Sequence, residues 1–204
     1  MEQLFNIECK RITSSNDKEA ADRKKNFELF LKGGFPNKKN ENWKFSDLKY
    51  IIRKNFKNIT NNDEFKFDEK IETIPDFDHN KVFLVNGSLK SCDLHFEEKE
   101  KVKIETLKSL EGFHHQLNNN LDYLNKALSI GGFNLEVQQN YKCKKPIIIY
   151  NYFTANLNNK IINNTNKIKV SQNSELTLIE YNIGGKSKFI KIPLKKLILI
   201  KVQC

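Results

Sequence analysis

GFPNKKNENWKFSDL, residues 34–48, contains the only tryptophan of the chain and one of its four prolines. Gly33 or Gly34 can adopt the left-handed conformation that ends a helix, and Pro36 cannot continue one. The stretch therefore predicts a helix end, an exposed turn over residues 37–42 and a return of the chain to the core. Three apolar side chains are expected to pack within the N-terminal unit: Trp43, Phe45 and Leu48.

The segments on either side of this stretch predict helices. Residues 17–32 place apolar side chains at helical spacing, and the expected core face consists of Phe27, Phe30 and Leu31. After the stretch, residues 46–52 predict a short second helix. The chain is therefore expected to begin with two helices joined by a charged turn.

Strand signals begin at residues 81–89, a β-branched and aromatic run that contains Asn-Gly, a strong turn signal. A hairpin or an edge pairing is expected to follow through Leu94 and Phe96, and residues 102–110 predict a short strand with a turn of helix. Leucines at helical spacing predict a helix over residues 117–129. The region up to residue 130 therefore has an α+β pattern.

From Phe133 the pattern changes to short strands separated by polar turns, without helices between them. Such a pattern is typical of an all-β domain. A sandwich and a stacked β-solenoid both fit it, and periodicity does not choose between them. The predicted strands are residues 133–137, 146–150, 167–170 and 176–181.

The chain is basic, with 35 Lys and Arg residues against 25 Asp and Glu residues and a net charge of +10. Clustered cations would indicate phosphate binding. Here acidic residues are interspersed with the basic ones, and the joint abundance of Lys, Asn and Ile indicates a drift towards AT-rich codons. A solvated surface is the favoured interpretation, and no nucleic-acid partner is expected. A basic nucleic-acid-binding module is the alternative function.

No run of eighteen apolar residues occurs, and the longest apolar block, residues 197–200, is flanked by lysines. The N-terminus lacks the basic and apolar regions of a secretory signal. The sequence therefore predicts a cytoplasmic protein without a membrane partner.

Two sequence features are weak candidates for chemistry. The four cysteines, at 9, 92, 143 and 204, lack zinc-type spacing and predict reduced, partly buried residues. Gly184-Gly185-Lys186-Ser187 is similar to the end of a phosphate-binding loop, but Glu180 occupies the position of the first glycine and no helical stretch follows. A flexible hairpin turn is the favoured interpretation.

The four histidines give an equally weak signal for a metal site. His114 and His115 are adjacent, so their side chains point in different directions and rarely converge on one ion. His79 and His95 are expected to be surface or capping residues. A metal enzyme built around His114 and His115 is a further hypothesis for the function of the chain.

Five segments of the chain carry a family resemblance when they are read in order. The first is the helix, Gly-Phe-Pro break and ENWKFSDL anchor over residues 23–48. The others are VFLVNG (82–87), LDYLNKAL (121–128), KPIII (145–149) and SELTLIE (174–180). In order and spacing these segments resemble the SufD proteins of the SUF iron–sulfur cluster assembly system. The resemblance extends from residue 20 to residue 185, and the motifs are specific only when they are taken together.

The resemblance implies a fold that periodicity alone does not establish. It implies an α+β N-terminal region followed by the beginning of an all-β right-handed parallel β-helix (solenoid). Residues 1–130 would be the N-terminal domain of SufBD type, and residues 131–204 the first, incomplete coils of the β-helix core. The tail from residue 189 does not continue the family's repeats, and we therefore expect a C-terminally truncated or frame-shifted chain.

The resemblance also implies a function, that of a non-catalytic scaffold subunit. SufD-like proteins pair with a SufB-like subunit through the β-helix and contact the SufC-like ATPase through C-terminal helices. Most of these contact segments would lie beyond residue 204. No catalytic, cofactor-binding or metal-binding residue is assigned to this chain, and the iron–sulfur cluster belongs to the level of the complex.

Overall fold

A computed structural model describes residues 18–56, 60–61, 71–107, 120–129, 131–155, 157–184 and 189–199. The helices in these ranges are α1 (Lys18–Gly33), α2 (Leu48–Asn55) and α3 (Asn120–Leu128), with a 3-10 turn over Glu41–Trp43. The first strands are β1 (Thr60–Asn61), β2 (Asn80–Val85), β3 (Ser88–Asp93), β4 (Val102–Thr106) and β5 (Phe133–Val137). The later strands are β6 (Ile147–Phe153), β7 (Lys160–Val170), β8 (Leu178–Gly184) and β9 (Ile190–Leu199).

A capping residue lies on each side of the charged turn, Gly34 at the end of α1 and Asp47 at the start of α2. Gly34 has a φ of +66°, and its N–H donates to the carbonyl of Phe30 at 2.6 Å, which ends α1 as predicted. Helix α2 begins two residues later than predicted, because the Asp47 side chain accepts a hydrogen bond from the Tyr50 N–H at 2.8 Å and so caps it. Lys38 and Lys39 are exposed, as expected of a solvated turn.

The helices share one apolar cluster, and Phe30 lies at its centre. Phe30 is fully buried and meets Phe35 edge-on, with ring centroids 5.1 Å apart. Phe27 and Leu31 pack against the cluster, so the predicted core face of α1 is confirmed. The other buried members are Ile52, Phe56, Leu124, Ala127, Leu128 and Ile161.

One predicted anchor of this unit is wrong. Phe45 is 89 % exposed, while Leu48 packs against the helical cluster and Trp43 is half-buried. Helix α2 begins directly after its cap, Asp47. Leu48 and Ile52 lie one turn apart and form the face of α2 that packs against the helical cluster. Phe45 precedes the cap and stays outside.

The strands form two sheets, and consecutive strands from β5 to β9 alternate between them. Sheet A has the order β1-β7-β5-β4 with β9 also pairing β7, and sheet B has the order β3-β2-β6-β8. The pairs β5/β7, β6/β8 and β7/β9 are parallel, and they join residues 33, 31 and 29 positions apart: Leu135 with Ile168, Ile147 with Leu178, and Ile161 with Ile190. Strands from before and after residue 130 take part in both sheets.

The main apolar core lies between the two sheets. It contains inward-facing residues of both, among them Val82, Leu84, Leu135, Ile147, Ile149 and Ile168. The turn from β2 to β3 uses Asn86 and Gly87 with φ of +50° and +87°, as the Asn-Gly signal predicts. The period-2 alternation of apolar residues therefore places one face of each strand in a shared interior.

The helices are fastened to sheet A by a buried polar link. The Asn125 amide of α3 donates to the carbonyl of Asn164 in β7 at 3.0 Å, and its oxygen accepts from the Thr165 hydroxyl at 3.0 Å. From α1, the Arg23 guanidinium donates to the carbonyls of Ala127 and Ser129, at the end of α3, at 3.0 and 2.9 Å. The end of α3 and the middle of β7 are thereby held in place.

Residues 190–199, which do not match the family pattern in sequence, form β9 and pair in parallel with β7 along ten positions. The connection after Gly184 therefore leads from sheet B to sheet A, and the predicted hairpin turn there is wrong. Residues 185–188 of the glycine-lysine segment lie outside the described residues. The strand that follows is not the helix that a phosphate-binding loop requires.

Candidate functional site

The candidate site is the outer edge of the two sheets, formed by β8 and β9. Among the strands of the described ranges, none pairs with the outer side of either one. An edge strand offers backbone N–H and C=O groups to an added strand. On β8 two large apolar side chains remain accessible, Ile179 at 38 % and Tyr181 at 46 % exposure. The arrangement is suited to strand pairing and apolar contact.

A row of aromatic residues on sheet B leads to this edge. Phe83, Tyr150 and Tyr181 are register partners on β2, β6 and β8. The Phe83 and Tyr150 rings stack at 5.4 Å, and the Tyr150 and Tyr181 rings meet edge-on at 5.8 Å. Such cross-strand aromatic pairs stabilise neighbouring strands. Tyr150 in the middle of the row is buried, whereas Tyr181 on β8 is exposed. The accessible end of the aromatic row therefore lies on β8.

The chain before β2 covers the middle of this row through His79. His79 is buried, its Nδ1 lies beside the carbonyl of Phe77, and its Nε2 is 2.7 Å from the Tyr150 hydroxyl. The Ile74 N–H donates to the same hydroxyl at 3.0 Å. A neutral ring with the proton on Nδ1 satisfies all three groups. The prediction of a surface or capping His79 is therefore wrong.

The other histidines are placed differently. His95 is exposed, with Nδ1 at 2.9 Å from the Asp93 carboxylate, which agrees with a surface role. His114 and His115 lie outside the described residues. No group of three or more His, Cys, Asp or Glu side chains in the described ranges is arranged to hold a metal ion.

The starts of β2 and β6 are fixed by one buried carboxylate, Glu97. Its oxygens accept from the Asn80 amide at 2.8 Å, the Tyr141 hydroxyl at 2.8 Å, and the backbone N–H groups of Lys144 and Lys145, both at 3.1 Å. Burial raises the pKa of Glu97, but these hydrogen bonds, led by that from Lys144, outweigh it and lower the pKa below its ordinary value. Glu97 is therefore an ionised anchor inside the fold.

The lowered pKa means that the folded protein binds a proton at Glu97 less readily than the unfolded chain does. The ionised Glu97 carboxylate therefore stabilises the fold above the ordinary pKa of a glutamate. This stabilisation is lost as pH falls through the lowered pKa of the folded state. We expect Glu97→Gln to lower the free energy of unfolding at neutral pH by about 2 kcal/mol, since an amide nitrogen would face donors. The loss of stability in acid should be smaller in this variant than in the parent protein.

Urea unfolding followed by circular dichroism between neutral and acidic pH measures both effects. Glu98→Gln is the matched control, because the exposed Glu98 carboxylate forms a surface ion pair with Lys144 at 3.5 Å, and the substitution leaves the backbone hydrogen bonds of Glu98 in place. Equal loss of stability in both variants at neutral pH would contradict the anchor role.

The two described cysteines carry weakly acidic thiols. Burial, together with the charge of Glu97, raises the pKa of Cys143 to about 11. Partial desolvation of the thiol by neighbouring protein atoms, and then the charge of Asp93, raise the pKa of Cys92. Both are free, and the expected partial burial holds for Cys143 but not for Cys92, which is exposed. Because the thiolate is the reactive form, neither has the environment of an activated nucleophile.

Helices beside two sheets whose strands alternate, with no further strand paired to β8 or β9 among the described residues, make the described part a stacked-sheet structure with an open strand edge. None of its helices in the described ranges is both long and apolar enough to cross a bilayer. No curated protein matches the chain. The family model described as the SufBD protein N-terminal region matches residues 2–149, more than half of the 204 residues. This chain belongs to the SufBD family, whose members act in iron–sulfur cluster assembly.

The sequence resemblance to the SufB and SufD proteins is thereby confirmed. The match ends within β6, so the strands that form the candidate edge follow the matched region. Sequence reasoning did not identify this edge. The signal for β8 lay in residues 176–181, but which strand would be outermost depends on pairing between distant segments.

Proposed function

We propose that this chain is a SufD-like scaffold subunit of the SUF system, which takes part in iron–sulfur cluster assembly without catalysing a reaction itself. The family match over residues 2–149 is the observation that carries the proposal. The choice of SufD rests on the five segments taken together, from the ENWKFSDL anchor to the SELTLIE segment.

We also propose that the all-β part is the beginning of a right-handed parallel β-helix. Consecutive strands that alternate between two sheets, with parallel partners 29 to 33 residues apart, support this proposal. In a solenoid each coil covers the open end of its neighbour. The edge of β8 and β9 would then be the face to which a further coil or a partner subunit is added.

The proposed partners are a SufB-like subunit, which would pair through the strand edge, and a SufC-like ATPase. The iron–sulfur cluster is the product that the complex assembles, and the proposed location is the cytoplasm. The exposed Tyr181 at the end of the aromatic row is the side chain on β8 best placed to contact a paired subunit.

Co-expression of the tagged chain with SufB-like and SufC-like proteins tests the proposal. We expect both to co-purify, and we expect Tyr181→Lys to reduce capture of the SufB-like subunit, since a charge on an edge strand opposes strand addition. Thr177→Lys is the matched control, because Thr177 is exposed just before β8. A folded chain that captures neither protein, while the partners assemble with an authentic SufD, would contradict the proposal.

A further inference from the structure

The N-terminal unit carries a second exposed apolar surface, far along the chain from the strand edge. Three of its large apolar side chains are accessible: Phe45 at 89 %, Tyr50 at 60 % and Ile51 at 47 % exposure. They lie within seven residues around the start of α2. Apolar side chains gathered on a surface mark an interaction site more often than isolated ones do.

This surface is also cationic. Six basic residues and two carboxylates occupy residues 38–54, and one of the carboxylates, Asp47, is engaged as the cap of α2. The Lys49 N–H donates to the carbonyl of Pro36 at 3.1 Å, so the charged turn lies against the first turn of the helix. We call these six basic residues together with the three exposed apolar residues the α2 patch. Its apolar members are Phe45, Tyr50 and Ile51, and its basic members are Lys38, Lys39, Lys44, Lys49, Arg53 and Lys54.

The cations of the α2 patch differ from many others in the described part of the chain. Six basic residues elsewhere form ion pairs: Arg23 with Glu19, Lys126 with Asp22, Lys142 with Glu175, Lys144 with Glu98, Lys145 with Asp78 and Lys169 with Glu136. Among the described residues, no carboxylate lies within ion-pair distance of an α2-patch cation. Other described lysines, among them Lys24 and Lys25, also have no described carboxylate within ion-pair distance, so the α2 patch is distinguished by basic residues that lie beside exposed apolar side chains.

Two of these cations lie over the exposed rings. The Lys44 ammonium is 5.0 Å from the centre of the Phe45 ring, and the Lys54 ammonium is 5.9 Å from that of Tyr50. Each ammonium would compete with a nucleic-acid base for one face of its ring, and Ile51 offers no aromatic face on which a base could stack. The remaining apolar positions of α2, Leu48 and Ile52, face the core, so little apolar surface is left to insert into a bilayer.

We propose that the α2 patch is a docking surface for an acidic protein segment that also carries apolar side chains. Carboxylates of such a segment would pair with the basic groups of the α2 patch, while its apolar residues would cover Phe45 and Ile51. Aromatic anchors surrounded by charged groups are the usual arrangement of a protein interface. The inference does not depend on which SUF subunit the chain is.

The test uses the full chain and a short fluorescein-labelled peptide of alternating glutamate and leucine, with binding measured by fluorescence anisotropy. We expect saturable binding that weakens as salt rises. Lys44→Glu with Lys54→Glu, and separately Phe45→Ser, should each weaken it about tenfold or more. A peptide with glutamine in place of glutamate should bind weakly or not at all.

Lys24→Glu with Lys25→Glu is the matched control, since both residues are exposed on α1 and the change in net charge is identical. Retained binding in this control supports a defined surface, whereas equal loss in both double variants means unspecific attraction and overturns the proposal. Phosphatidylserine vesicles and oligothymidylate are the comparison probes. If either binds through Lys44 and Lys54 while the peptide does not, the partner is not a protein segment and the proposal is wrong.

Discussion

Replacing Phe30 with alanine should lower the free energy of unfolding by about 3–5 kcal/mol, which is the range for loss of a fully buried aromatic side chain. Phe30 is inaccessible to solvent and lies between Phe27 and Phe35 in the cluster that joins all three helices. Its removal leaves a cavity that neighbouring side chains from three elements must collapse into. Chemical denaturation monitored by tryptophan fluorescence and circular dichroism measures the loss.

Phe45→Ala is the control that separates burial from residue type. Because Phe45 is 89 % exposed, its truncation should change the free energy of unfolding by no more than about 0.5 kcal/mol. Comparable destabilisation by both substitutions would mean that Phe45 packs as the sequence predicts. A neutral outcome also shows that any loss of peptide binding on substituting Phe45 is not a folding defect.

Local signals were sufficient for most of the helices and strands. Helix α1 follows from its apolar spacing and Gly34, and the first hairpin follows from Asn86-Gly87. The predicted strand over residues 133–137 coincides with β5. In each case the residues that decide the structure lie within a few positions of one another.

Features that depend on distant residues were not predictable. Strand β7 begins seven residues before the predicted strand. The prediction missed these residues because Asn163, Asn164 and Asn166, which are buried in the structure, interrupt the apolar pattern of the sequence. Glu97 lies in a charged run that favours an exposed loop, yet its donors come from residues 80, 141, 144 and 145. A carboxylate can be buried only when such partners converge, and sequence spacing does not show that they do.

The same limit applies to the candidate edge and to the α2 patch. Residues 176–181 predict a strand, but its position at the end of sheet B is set by pairing with β6, 31 residues earlier. Phe45 lies in an aromatic anchor motif that favours burial, yet it is exposed two residues before the Asp47 cap of α2. Exposure of an apolar side chain is a property of the assembled surface rather than of its local sequence.

We expect Gly132→Ala to destabilise the protein by at least about 3 kcal/mol, since two separate costs add. Gly132 has a φ of +136°, a conformation that residues with a side chain rarely adopt. A Cβ there would lie 1.8 Å from the carbonyl oxygen of Thr165 and 2.6 Å from its carbonyl carbon. Both are backbone atoms of β7, which is paired with β9 at this position, so neither can move without breaking the sheet.

Gly131→Ala is the control for Gly132→Ala. It tests whether the destabilisation is specific to position 132 or follows from replacing either glycine between α3 and β5. A Cβ on Gly131 would lie 3.1 Å from the Ser88 hydroxyl oxygen, which can rotate away, and at ordinary van der Waals distances of 3.7 and 3.8 Å from the Ser88 Cβ and Cα. The change should therefore alter the free energy of unfolding by less than about 1 kcal/mol. Urea unfolding of both variants, with limited proteolysis if Gly132→Ala is largely unfolded, measures the difference. Equal stability of the two would show that β7 does not approach the α3–β5 junction as closely as its contacts with Gly132 require.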